Sequence, residues 1–118
     1  MNKALFLRND WEANVQMTKN EKREHSDVLY QAILTLRDLD ECKKFFSDLC
    51  TVAELRAMEQ RFEVAMLLSD GMIYNDILER TGASSATISR VNRSLQYGAD
   101  GYQAVLPRIK EQMDQHGV

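Results

Sequence analysis

Helix breakers are scarce in this chain: its 118 residues include one proline and five glycines. Long helices are therefore permitted nearly everywhere. The alternation of Val, Ile and Thr with polar residues that marks strands is missing as well, so the expected class is all-α. No apolar run approaches the ~20 residues that cross a bilayer. The patch from Ala4 to Leu7 is interrupted by Arg8 and is too short for the apolar region of a signal peptide. A cytoplasmic protein without membrane contact is expected. Cysteines number two, Cys42 and Cys50, at a C-x7-C spacing that fits no metal or redox motif. Both stand in helical apolar context and are expected as free thiols. The two histidines, His25 and His116, have no partners at ligand spacing, and His25 reads as a solvated side chain. No phosphate-cradling glycine loop and no nucleophile with an evident base is present, so neither an enzyme nor a cofactor is expected.

An excess of basic residues is also lacking. The formal net charge is −3, which speaks against indiscriminate nucleic-acid binding. The distribution matters more than the sum. Between Glu41 and Glu79 carboxylates outnumber basic residues, whereas from Arg80 to Tyr97 the charged residues are Arg80, Arg90 and Arg93 alone. A locally basic edge on an acidic body can still face phosphate, because fields beyond about 10 Å are screened by salt.

What the chain does have is enough apolar material for one packed domain, 44% of its residues. A helix is expected from about Glu21 to Leu39, with Val28, Ala32, Leu36 and Leu39 in one stripe and Tyr30, Ile33 and Leu34 widening it. So broad an apolar arc needs more than one neighbour. A second subunit would supply it, and so would a central position in a monomer. A short helix is expected from Asp40 to Asp48, with Cys42, Phe45, Phe46 and Leu49 on its apolar side. Thr51 and Glu54 have the spacing of a capping box that opens a long helix. Its expected buried side carries Leu55, Met58, Phe62, Ala65 and Met66, and Gly71 ends it. Arg61 lies among Glu59 and Glu63 and reads as an exposed arginine in a charged face. Residues Gln96 to Asp100 read as a turn, with Asp100 capping a last helix that Pro107 should kink or break near Leu106. The tail from Gln112 should fray.

The stretch from Tyr74 to Leu95 carries the functional signal. It reads as two short helices around a bend at Thr81-Gly82-Ala83, where glycine supplies a positive-φ ending. Ser84 or Ser85 caps the second helix. Ile88, Val91 and Leu95 share one face of it, and Ile77 meets them from the first helix. Ala86, Ser89, Arg90 and Arg93 fall on the opposite side at roughly 100° per residue. An apolar underside beneath a face of small side chains, hydroxyls and guanidinium groups suits a helix that enters a major groove. Leu78 stands where a small residue usually allows the two helices to pack closely. That departure and the acidic charge leave a second reading open, a helical protein-interaction module that has the same shape without using DNA.

The run GASSATISRVNRSL from Gly82, with TVAELRAMEQRFEVAMLLSDG from Thr51 upstream, resembles the Trp repressor superfamily and within it the TrpR-like YerC/YecD branch. The likeness extends from about Val28 to Ile109. It rests on the Thr51/Glu54 helix start, Arg61, Gly71 and the nine residues from Gly82 to Arg90. It implies a helical bundle that forms an intertwined homodimer, with paired helix-turn-helix units meeting half-sites of double-stranded DNA about one helical turn apart. The expected DNA face comprises Tyr74, Asn75, Ser84, Ser85, Ala86, Thr87, Ser89, Arg90 and Arg93. By the resemblance, Arg61 and Arg90 match two arginines that sandwich tryptophan in the Trp repressor. The next residue is a glycine there and Val91 here, and a branched side chain should fill part of that pocket. A DNA-binding transcription regulator that does not respond to tryptophan is the expected function, with Arg61, Arg90 and Val91 as a pocket remnant. Residues 1–20 are expected as an appended extension, with Leu5, Phe6, Leu7 and Trp11 either idle or docked on a partner subunit, and residues 21–118 as the helix-turn-helix domain.

Overall fold

The computed structural model describes residues 26–116. The expected extension over residues 1–20, the solvated His25 and the start of the first helix near Glu21 lie outside them. The described residues form six α-helices and no strand, in agreement with the all-α expectation. They divide into two compact units, one ending at Leu49 and one beginning at Cys50.

In the first unit, α1 spans Asp27–Leu34 and α2 spans Leu39–Leu49. The single helix expected through Leu39 is therefore two helices, and the reason is local. The Thr35 backbone N–H donates to the carbonyls of Ala32 and Ile33, and its hydroxyl donates to Ala32 at 2.6 Å. Three residues on, the Glu41 N–H donates to the Asp38 carboxylate at 2.8 Å, while Glu41 Oε1 accepts the Arg37 N–H at 3.2 Å. Side chains that offer the backbone such bonds compete with helix continuation. Thr35 thus closes α1, and Asp38 with Glu41 starts α2. Phe45 and Phe46 meet edge to face on α2. Neither helix contains a buried residue. Cys42, and Cys50 at the head of the second unit, are free thiols and half-buried.

The second unit is built on α3, Val52–Ser69. Thr51 Oγ1 accepts the Glu54 N–H at 3.1 Å, and Glu54 Oε1 accepts the Thr51 N–H at 2.8 Å, which is the expected capping box. The Thr51 amide and hydroxyl together hold the Glu54 carboxyl below the usual carboxylate range. This stabilisation is therefore complete above the ordinary glutamate pKa and is lost as pH falls through the lowered one. Replacing Thr51 by alanine should cost about 1 kcal/mol at neutral pH, read from a urea midpoint. Replacing Glu54 by glutamine should flatten the acid limb of a plot of that midpoint against pH. An acid limb identical to wild type would disprove the role of the box.

On α3 the expected buried side holds at Ala65 and otherwise shifts. Val64 and Ala65 are fully buried, whereas Leu55, Met58, Phe62 and Met66 are only half-buried. Val64, Leu67 and Leu68 lie off the expected stripe because the apolar residues of α3 are spread around most of its circumference and periodicity alone cannot choose its side. Asp70 ends the helix and Gly71 turns the chain at φ +87°. Next come α4, Tyr74–Thr81, and α5, Ser85–Tyr97. Gln96 and Tyr97, expected in a turn, continue α5, and Gly98 ends it. A methyl on Gly98 would run into the Ser94 carbonyl.

The last helix, α6, spans Gly101–His116. Asp100 sits at φ +68°, and its carbonyl accepts the Ala104 N–H at 3.2 Å, so the backbone oxygen, not the expected side-chain cap, meets the first turn. Pro107 neither ends nor breaks α6. Leu106 is buried, with Tyr102 and Ile109 packed on the core, and these anchors hold the helix on both sides of the proline. The Gln103 carbonyl that loses its partner belongs to an exposed residue, where water can serve it. The helix also persists beyond Gln112, where fraying was expected. Lys110 joins α6 to the end of α3 through Ser69 Oγ and Asp70 Oδ1, each at 2.7 Å.

Candidate nucleic-acid interface

The bend between α4 and α5 follows the sequence closely. Gly82 adopts φ +72°, a left-handed conformation that costs an L side chain roughly 1–2 kcal/mol. A methyl there would meet nothing within 4 Å, so the backbone alone opposes substitution. Gly82→Ala should therefore destabilise by that amount in a thermal or urea melt, and Gly82→Asn by less. Equal stability of wild type and the alanine variant would rule out the strained corner.

Of the two candidate caps the structure selects Ser84. Its Oγ accepts the Thr87 N–H at 3.1 Å and donates to Thr87 Oγ1 at 3.0 Å. The Ser84 and Thr87 hydroxyls are thus engaged with each other, while Ser85 is exposed. Beneath α5, Ile88 is 0% and Val91 2% exposed, clustered with Ile77, Ala83, Val64, Ala65 and Leu106. Leu78 and Leu95 pack against that cluster from its margin. With these positions turned inward, Ala86, Ser89, Arg90 and Arg93 are all exposed on the far side. Tyr74 and Asn75 are exposed at the start of α4, whose N-cap, Ile73, makes no side-chain capping bond.

The helix has no carboxylate in its first turn, and no ion pair among the described residues engages Arg90 or Arg93. Their guanidinium groups are available to an external anion. The residues of the expected pocket remnant differ in burial. Arg61 is half-buried on α3, Arg90 is exposed on α5, and the Val91 side chain is packed into the core. An open, mostly apolar depression of about 350 Å³ lies elsewhere in this unit, lined by Phe62, Ser94, Gly98, Ala99, Tyr102 and Val105. No helix among the described residues is long and apolar enough to cross a membrane. No cluster of His, Cys, Asp or Glu among them could hold a metal ion.

Two sets of contacts at the bend were not anticipated. Gln60 of α3 donates through Nε2 to the Thr81 carbonyl at 3.2 Å, and the Thr81 hydroxyl joins Ile77 to Ala83. Residues 21 positions apart leave no periodic trace of such a bond.

Comparison with known proteins accords with this geometry. Residues 24–110 match the family described as Trp repressor protein. A Bacillus subtilis protein, YerC, itself uncharacterized, is 53% identical over 85 residues, which span 72% of this chain and 82% of that one. The crystal structure of a TrpR-like protein from Eubacterium eligens is also 53% identical, with a TM-score of 0.71 over 78% of this chain and 95% of that one. A second solved chain, from Staphylococcus aureus, is 47% identical, with a TM-score of 0.71 over 77% and 92% of the two chains.

Proposed function

The chain belongs to the Trp repressor family, and from that premise and the geometry of α5 we propose that it is a sequence-specific, DNA-binding transcription regulator acting as a homodimer. One observation carries the reading. Ile88 and Val91 seal the underside of α5, and the face left outward is Ala86, Ser89, Arg90 and Arg93. Small side chains let the helix approach base edges, and two unpaired guanidinium groups can divide between phosphate and guanine. Ser84 caps α5 and Ser85 reaches phosphate. Tyr74 and Asn75 meet the backbone where the uncapped start of α4 leaves N–H groups free.

The exposed apolar residues of the first unit support a dimer. Leu34 is 84% and Leu39 69% exposed, and Leu29, Tyr30 and Leu49 are exposed too. Two helices without a buried residue need a cover to repay the entropy of ordering them, and a second copy of the chain supplies it. Pairing then sets two α5 helices against half-sites about one helical turn apart.

Tryptophan is not the effector in this reading, because the Val91 side chain occupies core volume at the position where a glycine leaves room in the Trp repressor. Calorimetry should show no tight binding of tryptophan, and a micromolar complex would overturn the point. The function itself is tested by fluorescence anisotropy with duplexes selected from a random pool, titrated across salt. Binding that weakens steeply with salt is expected. No affinity at any salt would favour a protein-interaction module instead.

A further inference from the structure

The corner that aims α5 is gripped from outside the helix-turn-helix. Thr81 is the last residue of α4, so its carbonyl oxygen has no partner from its own helix. Gln60, half-buried on α3, donates Nε2–H to that oxygen at 3.2 Å. The Thr81 side chain binds both arms of the bend. Its hydroxyl donates to the Ile77 carbonyl at 2.7 Å and accepts the Ala83 N–H at 3.1 Å. One residue thus has its backbone oxygen tied to the central helix and its side chain tied across the turn. Ala83 beyond it is 2% exposed, and Ser84 immediately caps α5.

We infer that Gln60 is a positioning residue for DNA recognition: by holding the Thr81 carbonyl it sets the angle at which α5 presents Ser89, Arg90 and Arg93. The inference rests on the reading of α5 as the DNA-facing helix. Its physical basis is the difference between the two kinds of contact at the corner. Burial of Ile88 and Val91 is strong and non-directional, so it keeps α5 on the core without fixing its tilt. A hydrogen bond to a carbonyl weakens steeply away from linearity, so it selects one tilt. The Gln60 amide suits the task because the corner offers an acceptor and needs a donor. A carboxylate at this position would set two acceptors against each other.

The test compares binding of a duplex selected by the wild-type protein with binding of a scrambled duplex of equal length. Gln60→Met keeps length and removes the donor. Thr81→Val keeps shape and removes the hydroxyl, while Thr81→Ser restores it. Gln60→Met and Thr81→Val should each weaken binding to the selected duplex about fivefold, the factor equivalent to one hydrogen bond of about 1 kcal/mol. Affinity for the scrambled duplex and the salt slope should stay at wild-type values, since no phosphate contact is removed. Thr81→Ser should bind as wild type does, and Gln60→Glu worse than Gln60→Met. The double variant should lose little more than either single one, because both act on one corner. Equal losses on selected and scrambled DNA, or a Gln60→Met affinity within twofold of wild type, would overturn the inference.

Amide hydrogen exchange supplies a readout that needs no DNA. The Ala83 N–H should exchange about fivefold faster in Gln60→Met, with amides in the middle of α3 unchanged. If wild type binds no duplex at low salt, the proposed function falls and exchange alone decides: a faster Ala83 upholds the grip on the corner, and an unchanged one removes it.

Discussion

Ile88→Ala should destabilise the fold by roughly 2–5 kcal/mol, the cost of deleting a large aliphatic side chain from a core that cannot collapse around the gap. Ile88 is 0% exposed and shares its cluster with Ile77, Val64 and Val91, so α3, α4 and α5 all line the void. Against a total stability of about 5–15 kcal/mol, such a loss is visible at once in a urea melt. The midpoint should fall with the slope unchanged, which marks lost stability without a change in the surface exposed on unfolding. Ser89→Ala, one residue along the same helix but exposed, should stay within about 0.5 kcal/mol of wild type. The melts are to be compared at one protein concentration, because the proposed dimer would link stability to concentration. An Ile88→Ala variant as stable as Ser89→Ala would show that α5 does not sit with this face inward. The assignment of its outer face would fail with it.

The helix-turn-helix was legible because every signal there is short-ranged. A glycine corner, a serine cap and apolar residues at spacings of three and four lie within one window, and the structure returns each of them. The capping box at Thr51 was equally plain, since its two partners stand three residues apart. The same class of signal, Asp38 with Glu41, marks the start of α2 and was overridden by an apolar stripe that continued across the break. The stripe of α3 misled for another reason. With apolar residues around most of its circumference, only the neighbours decide which side is buried, and they chose Val64. Pro107 and Asp100 show tertiary packing and backbone conformation prevailing over local rules: Leu106 holds α6 through the proline, and Asp100 enters the left-handed region and leaves the first-turn contact to its carbonyl. The tie between Gln60 and Thr81 had no local signal of any kind. It exists only because α3 and the bend are brought together by their apolar faces.

Arg93→Ala should weaken binding to a selected operator duplex by roughly 1–3 kcal/mol, the worth of a bidentate contact to guanine, and should relax preference at one base position. With Ile88 and Val91 inward, Arg93 lies outward one turn beyond Ser89, so it extends the same edge that Ala86 and Ser89 keep low enough to enter a groove. A guanidinium there is always charged and carries a fork of donors that matches the two acceptors of guanine. If Arg93 instead grips phosphate, its loss should fall equally on selected and random duplexes and lower the salt slope by about 1. Arg90→Ala separates the pair. The two arginines are three residues apart and diverge by roughly 60° around the helix, and the proposed function divides them between base and phosphate. One should show the base-specific pattern and the other the uniform, salt-linked one. Lysine in place of the base reader should fail to restore specificity, because a point charge has no fork, whereas lysine in place of the phosphate contact should restore most of the affinity. Should neither alanine variant alter affinity for any duplex, α5 would not be the recognition helix, whatever its shape.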